Sequence, residues 1–417
     1  MINNNTQTKT KTTWRKVKLG EVVDINKRSI DRNFSLKEIE YIDISSVKEG
    51  NLFGTTKYNF SEAPGRARRL LLTGDTIIST VRPENKSFYY IKEPKDNWVA
   101  STGFAILSPK ENTDPRFIYY LVTRKKFIDY LASNTKGSAY PAIGIDLIGE
   151  AEVLIPDLPE QKKISDLISA FDDKIELNNK INQNLEQTAQ MIFKEWFVKF
   201  RFPGHKKVKM IDSELGKIPE GWRVSSIGEE LETILGGTPS TNNKEYWDKG
   251  NIPWINSGAL NDFPLIKTTA FITELGLKNS AAKLMPTKTT VLPMVVSIGK
   301  PVSISILAVE SSGNQSVVGI IGNDKISPEY IYFWIKFKKK EIYGNITGGA
   351  QQHINKNVVD STMILTPDDK IMNLFDKIAK SMMDSIINNS LENQKLTSLR
   401  DLLLQKLMGG EILVKSK

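Results

Sequence analysis

The chain has 417 residues, 40% hydrophobic and 25% charged, which is ordinary for a soluble globular protein with room for two or three domains. It has no cysteine, and its only histidines are His205 and His353, so disulfides and thiolate metal sites are excluded and a His-based triad is not expected. The net charge of +9 and the pI of about 9.2 suit a polyanionic partner, nucleic acid first, although charge alone fits a basic protein without one.

Residues 1–13 are polar and basic with no apolar core; they read as disordered and not as a signal peptide. Structure is expected from Trp14, where Trp14-Arg15-Lys16-Val17-Lys18-Leu19-Gly20-Glu21 has a counterpart in Trp222-Arg223-Val224-Ser225-Ser226-Ile227-Gly228-Glu229. Short strands follow in both halves. Tyr41 to Ser45 matches Pro253 to Ser257, and Asp75 to Pro83 matches Thr290 to Pro301, each of the latter two closing on a cation and a proline. The apolar region from Val291 to Val309 is broken by Pro293, Gly299, Lys300 and Pro301, so it reads as two buried strands and not as a membrane span. The expected location is cytoplasmic.

Short helices are expected after Pro115, carrying Tyr119, Tyr120 and Leu121, and after Pro328, carrying Tyr332, Phe333 and Trp334. A loop comes next in each half, Gly137 to Ile143 and Gly348 to Ile354, and each feeds a strand and then a long helix. Asp157-Leu158-Pro159-Glu160 fits a capping box, with Asp157 accepting from the backbone and Glu160 reaching back. Thr366-Pro367-Asp368-Asp369 predicts a Thr366 cap, then proline at the first helical position. Phe202-Pro203-Gly204 and Gly409-Gly410 are the expected stops.

Along the first long helix, Ile164, Ile168, Phe171, Ile175, Asn178, Asn182, Leu185, Ala189, Ile192 and Trp196 recur on steps of four and three, the pattern of a coiled-coil seam. The seam returns 211 residues later as Phe375, Ala379, Met382, Ile386, Asn389, Asn393, Leu396, Arg400, Leu403 and Leu407. The same two positions are Asn, and only Arg400 departs from the pattern. The chain is therefore a tandem repeat. Two such helices can bury their stripes against each other, with Asn178, Asn182, Asn389 and Asn393 meeting to fix register. The competing reading leaves these Asn solvated. The expected organisation is a globular domain over 1–154, a long helix and linker over 155–213, a second domain over 214–364 and a C-terminal helix over 365–417. Parallel and antiparallel packing both bring these Asn together; the expected fold class is α/β (mixed α+β), with two similar globular domains, two long coiled-coil helices that the family resemblance below implies to be antiparallel, and an internal pseudo-two-fold repeat.

These residues resemble the specificity subunit (HsdS) of type I restriction-modification enzymes over nearly the whole chain. The marks are Trp14 to Glu21, the loop Gly137 to Ile143, Leu158-Pro159-Glu160-Gln161-Lys162-Lys163-Ile164, Trp196-Phe197 to Phe202-Pro203-Gly204, Gly236-Gly237-Thr238-Pro239-Ser240, and Leu399 to Glu411. The first half lacks a clear match to Gly237-Thr238-Pro239, and the second helix lacks the Glu160-Gln161 pair. The resemblance implies two target-recognition domains, each reading one half of a bipartite double-stranded DNA sequence. It also implies docking of two methylation subunits (HsdM) and then restriction subunits (HsdR). S-adenosylmethionine, ATP and Mg are implied only for those partners, and no cofactor or metal for this chain.

No active site is legible. There is no G-x-x-x-x-G-K-[ST] loop and no Asn-Pro-Pro-aromatic motif of an amino-methyltransferase, and Asp172-Asp173 reads as a solvated helix flank. The chain is expected to be non-catalytic. Base edges are read by Arg, Lys, Asn and Gln, while phosphates accept any cation. The candidate DNA-binding residues are Arg66, Arg68, Arg69, Arg82, Lys86, Lys136 and Tyr140 in the first half. In the second they are Lys244, Lys300, Gln351, Gln352 and His353. Each cation alone also fits a solvated surface charge, and Tyr140 and His353 also fit packing at a domain edge. Trp196, Phe197 and Phe200 either pack on the adjacent domain or form part of a docking face. The rival functions are a coiled-coil assembly protein without DNA recognition and a stand-alone nuclease or methyltransferase.

Overall fold

The computed structural model describes residues 14–30, 34–135, 141–297, 302–344, 351–412 and 414. The chain divides into two compact units, one of residues up to 174 together with those from 396, the other of residues 175–395. This division passes through both long helices and does not set them apart as segments of their own. The reason lies in their packing. Ile164, Ile168, Leu407 and Met408 are buried in the core of the first unit, and Ala189, Phe193, Phe375 and Ala379 in that of the second.

In the first unit, Arg15–Lys18 pairs antiparallel with Glu152–Ile155, joining the start of the lobe to its end. One four-stranded sheet runs Val23–Ile25, Phe104–Pro109, Thr76–Ser79, Phe88–Tyr90, all antiparallel. The other runs Thr56–Asn59, Glu38–Ile42, Trp98–Ser101, Ala67–Leu70, with its two central strands parallel.

The second unit repeats this plan. Arg223–Ser226 pairs with Met363–Thr366. One sheet runs Glu232–Leu235, Val317–Ile321, Thr290–Pro293, Ser305–Ile306. The other runs Ala270–Ile272, Ile252–Ile255, Ser311–Gly313, Leu284–Met285, again with the central pair parallel. The helices Pro115–Thr123 and Pro328–Gly344 carry buried Tyr120 and buried Tyr330, Tyr332 and Trp334 into the respective cores.

The first long helix spans Leu158–Phe193, and the second Asp369–Met408. The first stops short of Phe200: a wide π turn covers Lys194–Val198, and Phe200 has a positive φ of 55°. The aromatic cluster there is core. Phe197 is 2% exposed against Phe193, Tyr330, Phe375 and Trp222, and Trp196 and Phe200 flank it.

The helix starts correct two expectations. Asp157 accepts from Glu160 N at 3.1 Å, but Glu160 does not complete a capping box; its buried Oε1 has no partner, and its other oxygen faces Lys163. Gln161 does the tying instead, accepting from Asp114 N and donating to Pro156 O. In the second helix Thr366 ends a strand, and the cap is Asp368, which accepts from Ile371 N at 3.0 Å and from Trp222 Nε1 at 3.2 Å. Asp368 is the repeat counterpart of Asp157, so a charged carboxylate acceptor caps both helices.

Within the second unit, Asn178 is fully buried and donates to Asn393 Oδ1 at 2.8 Å and Glu392 Oε2 at 2.7 Å. Asn389 donates to Asn182 Oδ1 at 2.9 Å, and Asn182 to Ser390 Oγ at 3.0 Å. Higher numbers on one helix meet lower numbers on the other, so the two segments run antiparallel. In the first unit the two helical segments meet through Asp172 and Arg400. No helix among the described residues is long and apolar enough to cross a membrane.

Candidate nucleic-acid interface

In each unit the central strand of the antiparallel sheet runs on past the sheet and is caught by the segment that precedes the last strand. In the first unit Ile143 N donates to Thr80 O at 2.9 Å, Arg82 N donates to Pro141 O at 3.0 Å, and Val81 bridges Ala142. In the second, Ile354 N donates to Met294 O at 2.9 Å, and Val295–Ser297 pairs with Gln351–His353 in a three-residue ladder. A β turn supports each extension from below. Thr80 N donates to Gly103 O, and Met294 N to Ser316 O, both at 2.8 Å. Backbone hydrogen bonds alone thus deliver two short segments, distant in sequence, to one edge of each lobe.

Arg82 and Lys86 bracket the turn Pro83–Asn85, and both are exposed in the left-handed region with φ of 47° and 56°. That conformation costs an L-residue roughly 1–2 kcal/mol, and such strain concentrates where a side chain must be aimed. Arg66 joins the same edge through Thr102 N, which donates to Arg66 O at 2.8 Å. It lies beside Asp43, whose carboxyl is raised by burial but held below its ordinary value by hydrogen bonds from Ser45 and Tyr41 and by the Arg66 charge. Arg68 is exposed on the strand Ala67–Leu70.

Lys86 and Arg69 are among the first-half candidates that already have side-chain partners. Lys86 Nζ lies 3.2 Å from Glu49 Oε1, an exposed pair whose strength is of the order of 0–1 kcal/mol and so readily exchanged for a phosphate. Arg69 is half-buried and donates to Ser29 Oγ at 3.0 Å, and burial pushes its guanidinium below the usual value. It is spent on closing the lobe, where its backbone also bridges Ser29. Lys136 and Tyr140 lie outside the described residues.

In the second unit His353 is exposed at the end of its strand, opposite Val295. Gln351 and Gln352 belong to the same strand, and Lys300 lies outside the described residues. The fold does not bring Lys244 into this ladder. Its turn, Lys244–Tyr246, packs with the helix Glu274–Lys278, with Thr273 N donating to Tyr246 O at 2.9 Å. Sequence reasoning missed Thr238 and Gln315, exposed side chains joined by a 2.6 Å hydrogen bond next to the turn that supports the ladder. The double glycine before Thr238 was the available signal.

Among the described residues no group of His, Asp and Glu could hold a metal ion. What the two edges offer is a set of donors on rigid backbone, suited to hydrogen-bonding and to charge.

A family model described as the type I restriction modification DNA specificity domain matches residues 11–187 and again 219–400. Over 465 aligned residues the chain is 27% identical to the type I restriction enzyme HindI specificity subunit of Haemophilus influenzae, covering 96% of this chain and 99% of that one. Over 329 residues it is 28% identical to the MjaIX specificity subunit of Methanocaldococcus jannaschii, covering 78% and 76%. The crystal structure of the type I restriction-modification S subunit from M. genitalium shares the fold, with a TM-score of 0.54 at 14% identity over 100% of this chain and 99% of that one.

Proposed function

The chain belongs to the type I restriction-modification DNA specificity family, and from that premise we propose that each unit reads one half of a bipartite duplex target. The observation that carries this reading is the recurrence of one device: an extended strand caught by a distant segment, at equivalent places in two lobes of the same topology. Arg66, Arg68 and Arg82 serve the first half-site, with Lys86 released from Glu49 on binding, and Lys136 and Tyr140 completing the set. Gln351, Gln352, His353 and Lys300 serve the second, and Lys244 contacts backbone phosphate. The two long helices set the spacer and dock two methylation subunits, with restriction subunits joining afterwards. The Asn178, Asn182, Asn389 and Asn393 layer fixes helix register. This chain supplies recognition without a cofactor, and S-adenosylmethionine, ATP and Mg act in the partner subunits, in the cytoplasm.

The test is selection from duplexes carrying two randomised segments, using the full chain with methylation subunits. Recovery of a two-part motif supports the reading. Retention of duplex without any preferred sequence would sink it.

A further inference from the structure

The run Gly236-Gly237-Thr238-Pro239-Ser240 stands out in the sequence, and its packing gives it a role. Gly236 N donates to Val317 O at 3.1 Å and Gly237 N to Gly313 O at 2.8 Å, so the run lies against the turn between two strands. Both glycines are needed for that approach. A Cβ on Gly236 would run into the carbonyl oxygens of Gly313 and Asn314, and one on Gly237 into the backbone of Ala281. Two indoles pin the run from its other side: Trp254 Nε1 donates to Gly237 O and Trp247 Nε1 to Ser240 O, both at 3.1 Å. Gly236, Gly237 and Pro239 are buried, whereas Thr238 is exposed. Backbone contacts thus hold the run in place, with the hydroxyls of Thr238 and Ser240 at its exposed surface.

The Thr238 hydroxyl meets Gln315. Thr238 Oγ1 donates to Gln315 Oε1 at 2.6 Å. Gln315 sits on a turn that is itself locked, since Asn314 Oδ1 accepts from Ser316 N and Asn314 O accepts from Val317 N. Ser316 O receives Met294 N at the root of the Val295–Ser297 and Gln351–His353 ladder. An exposed glutamine ordinarily samples many rotamers, at an entropic cost when it binds. Here the carboxamide oxygen is held by the Thr238 hydroxyl, and the amide nitrogen of this exposed residue carries two donors.

We propose that Gln315 is a base-reading residue of the second unit, donating to an acceptor on a purine edge in the major groove, and that Thr238 is its positioning residue. The proposal rests on the DNA-reading function above and adds the residue and the chemistry it reads. Among the described residues the first unit has no such pair. Its equivalent turn is Thr102-Gly103, and there the hydroxyl of Thr80 donates to Gly103 O. The two units therefore carry different chemistry in the same slot, as two different half-sites require.

The same selection from two randomised segments tests it, with the full chain and methylation subunits. Gln315→Ala and Gln315→Glu are expected to lose preference at one or two base pairs of one segment and to weaken wild-type duplex about tenfold or more, leaving the other segment untouched. Thr238→Val should reproduce part of this, and Thr238→Ser should restore it, because only the hydroxyl matters. Gln315 variants that keep every wild-type preference, with affinity within about twofold, would overturn the proposal. Loss of affinity for both segments together with a lowered melting temperature would make the pair structural and overturn it equally. A wild-type complex that enriches no motif fails the DNA-reading function itself, a distinct outcome.

Discussion

Arg400 Nη1 donates to Asp172 Oδ1 at 2.7 Å, and Tyr120 donates its hydroxyl to the other oxygen of the same carboxylate at 2.6 Å. This explains the one residue that breaks the repeated seam. Burial works against the Arg400 charge, but the Asp172 and Asp401 carboxylates outweigh it and raise the guanidinium above its ordinary value. In the second unit the repeat counterparts are Met383, Ala189 and Phe333, all buried in one apolar core. One position in the fold is thus solved by charge in one unit and by packing in the other.

Removing one member should therefore cost more than removing all. Arg400→Ala leaves a partly buried carboxylate unpaired, an expected loss of about 1–3 kcal/mol. The triple variant Asp172→Met, Arg400→Ala, Tyr120→Phe imports the second unit's solution and should recover most of it. Thermal melting of the three proteins checks this; a triple variant less stable than the single one would contradict the equivalence.

Asn178 offers a second test within the helix pair. Asn178→Leu strips a donor from both Glu392 and Asn393, and a loss of about 1–3 kcal/mol is expected. Adding Asn393→Leu should return stability while weakening register, seen as faster amide exchange along both helices. Slow exchange in the double variant would show that the Asn layer does not set register.

Arg82 should separate strain from binding. Arg82→Gly relieves a left-handed backbone and is expected to gain up to about 1 kcal/mol. The same change should weaken DNA binding and relax preference in the first half-site alone. Changes of the same sign in stability and affinity would argue that Arg82 is held for the fold.

Acid sensitivity follows from Glu40. Hydrogen bonds from Lys95, Thr55 and Trp98, with the Lys95 charge, hold this carboxyl below its ordinary value of 4.5 against the opposing effect of burial. A depressed folded value means the contribution is present in full above 4.5 and is lost as pH falls through the folded value. Glu40→Gln should flatten the pH dependence of stability on that acid flank, measured by denaturant titration; an unchanged slope would refute it.

The repeat, the seam, the helix pair and the family were legible in the sequence. Each rests on spacing along the chain, and the 3.6-residue period of a helix turns spacing into a face without knowledge of the rest of the fold. The candidate edges were partly legible because the pattern recurs: Arg82 ends a strand repeated in the second half, and His353 lies in a loop repeated from the first, which the structure makes a short strand. The partners were not. Asp368 displaces Thr366 as cap, Glu49 takes Lys86, Ser29 takes Arg69, and Thr238 finds Gln315, 77 residues away. A side chain's hydrogen-bond partner is set by which backbones the sheets bring within 3 Å, and only the tertiary structure makes that choice.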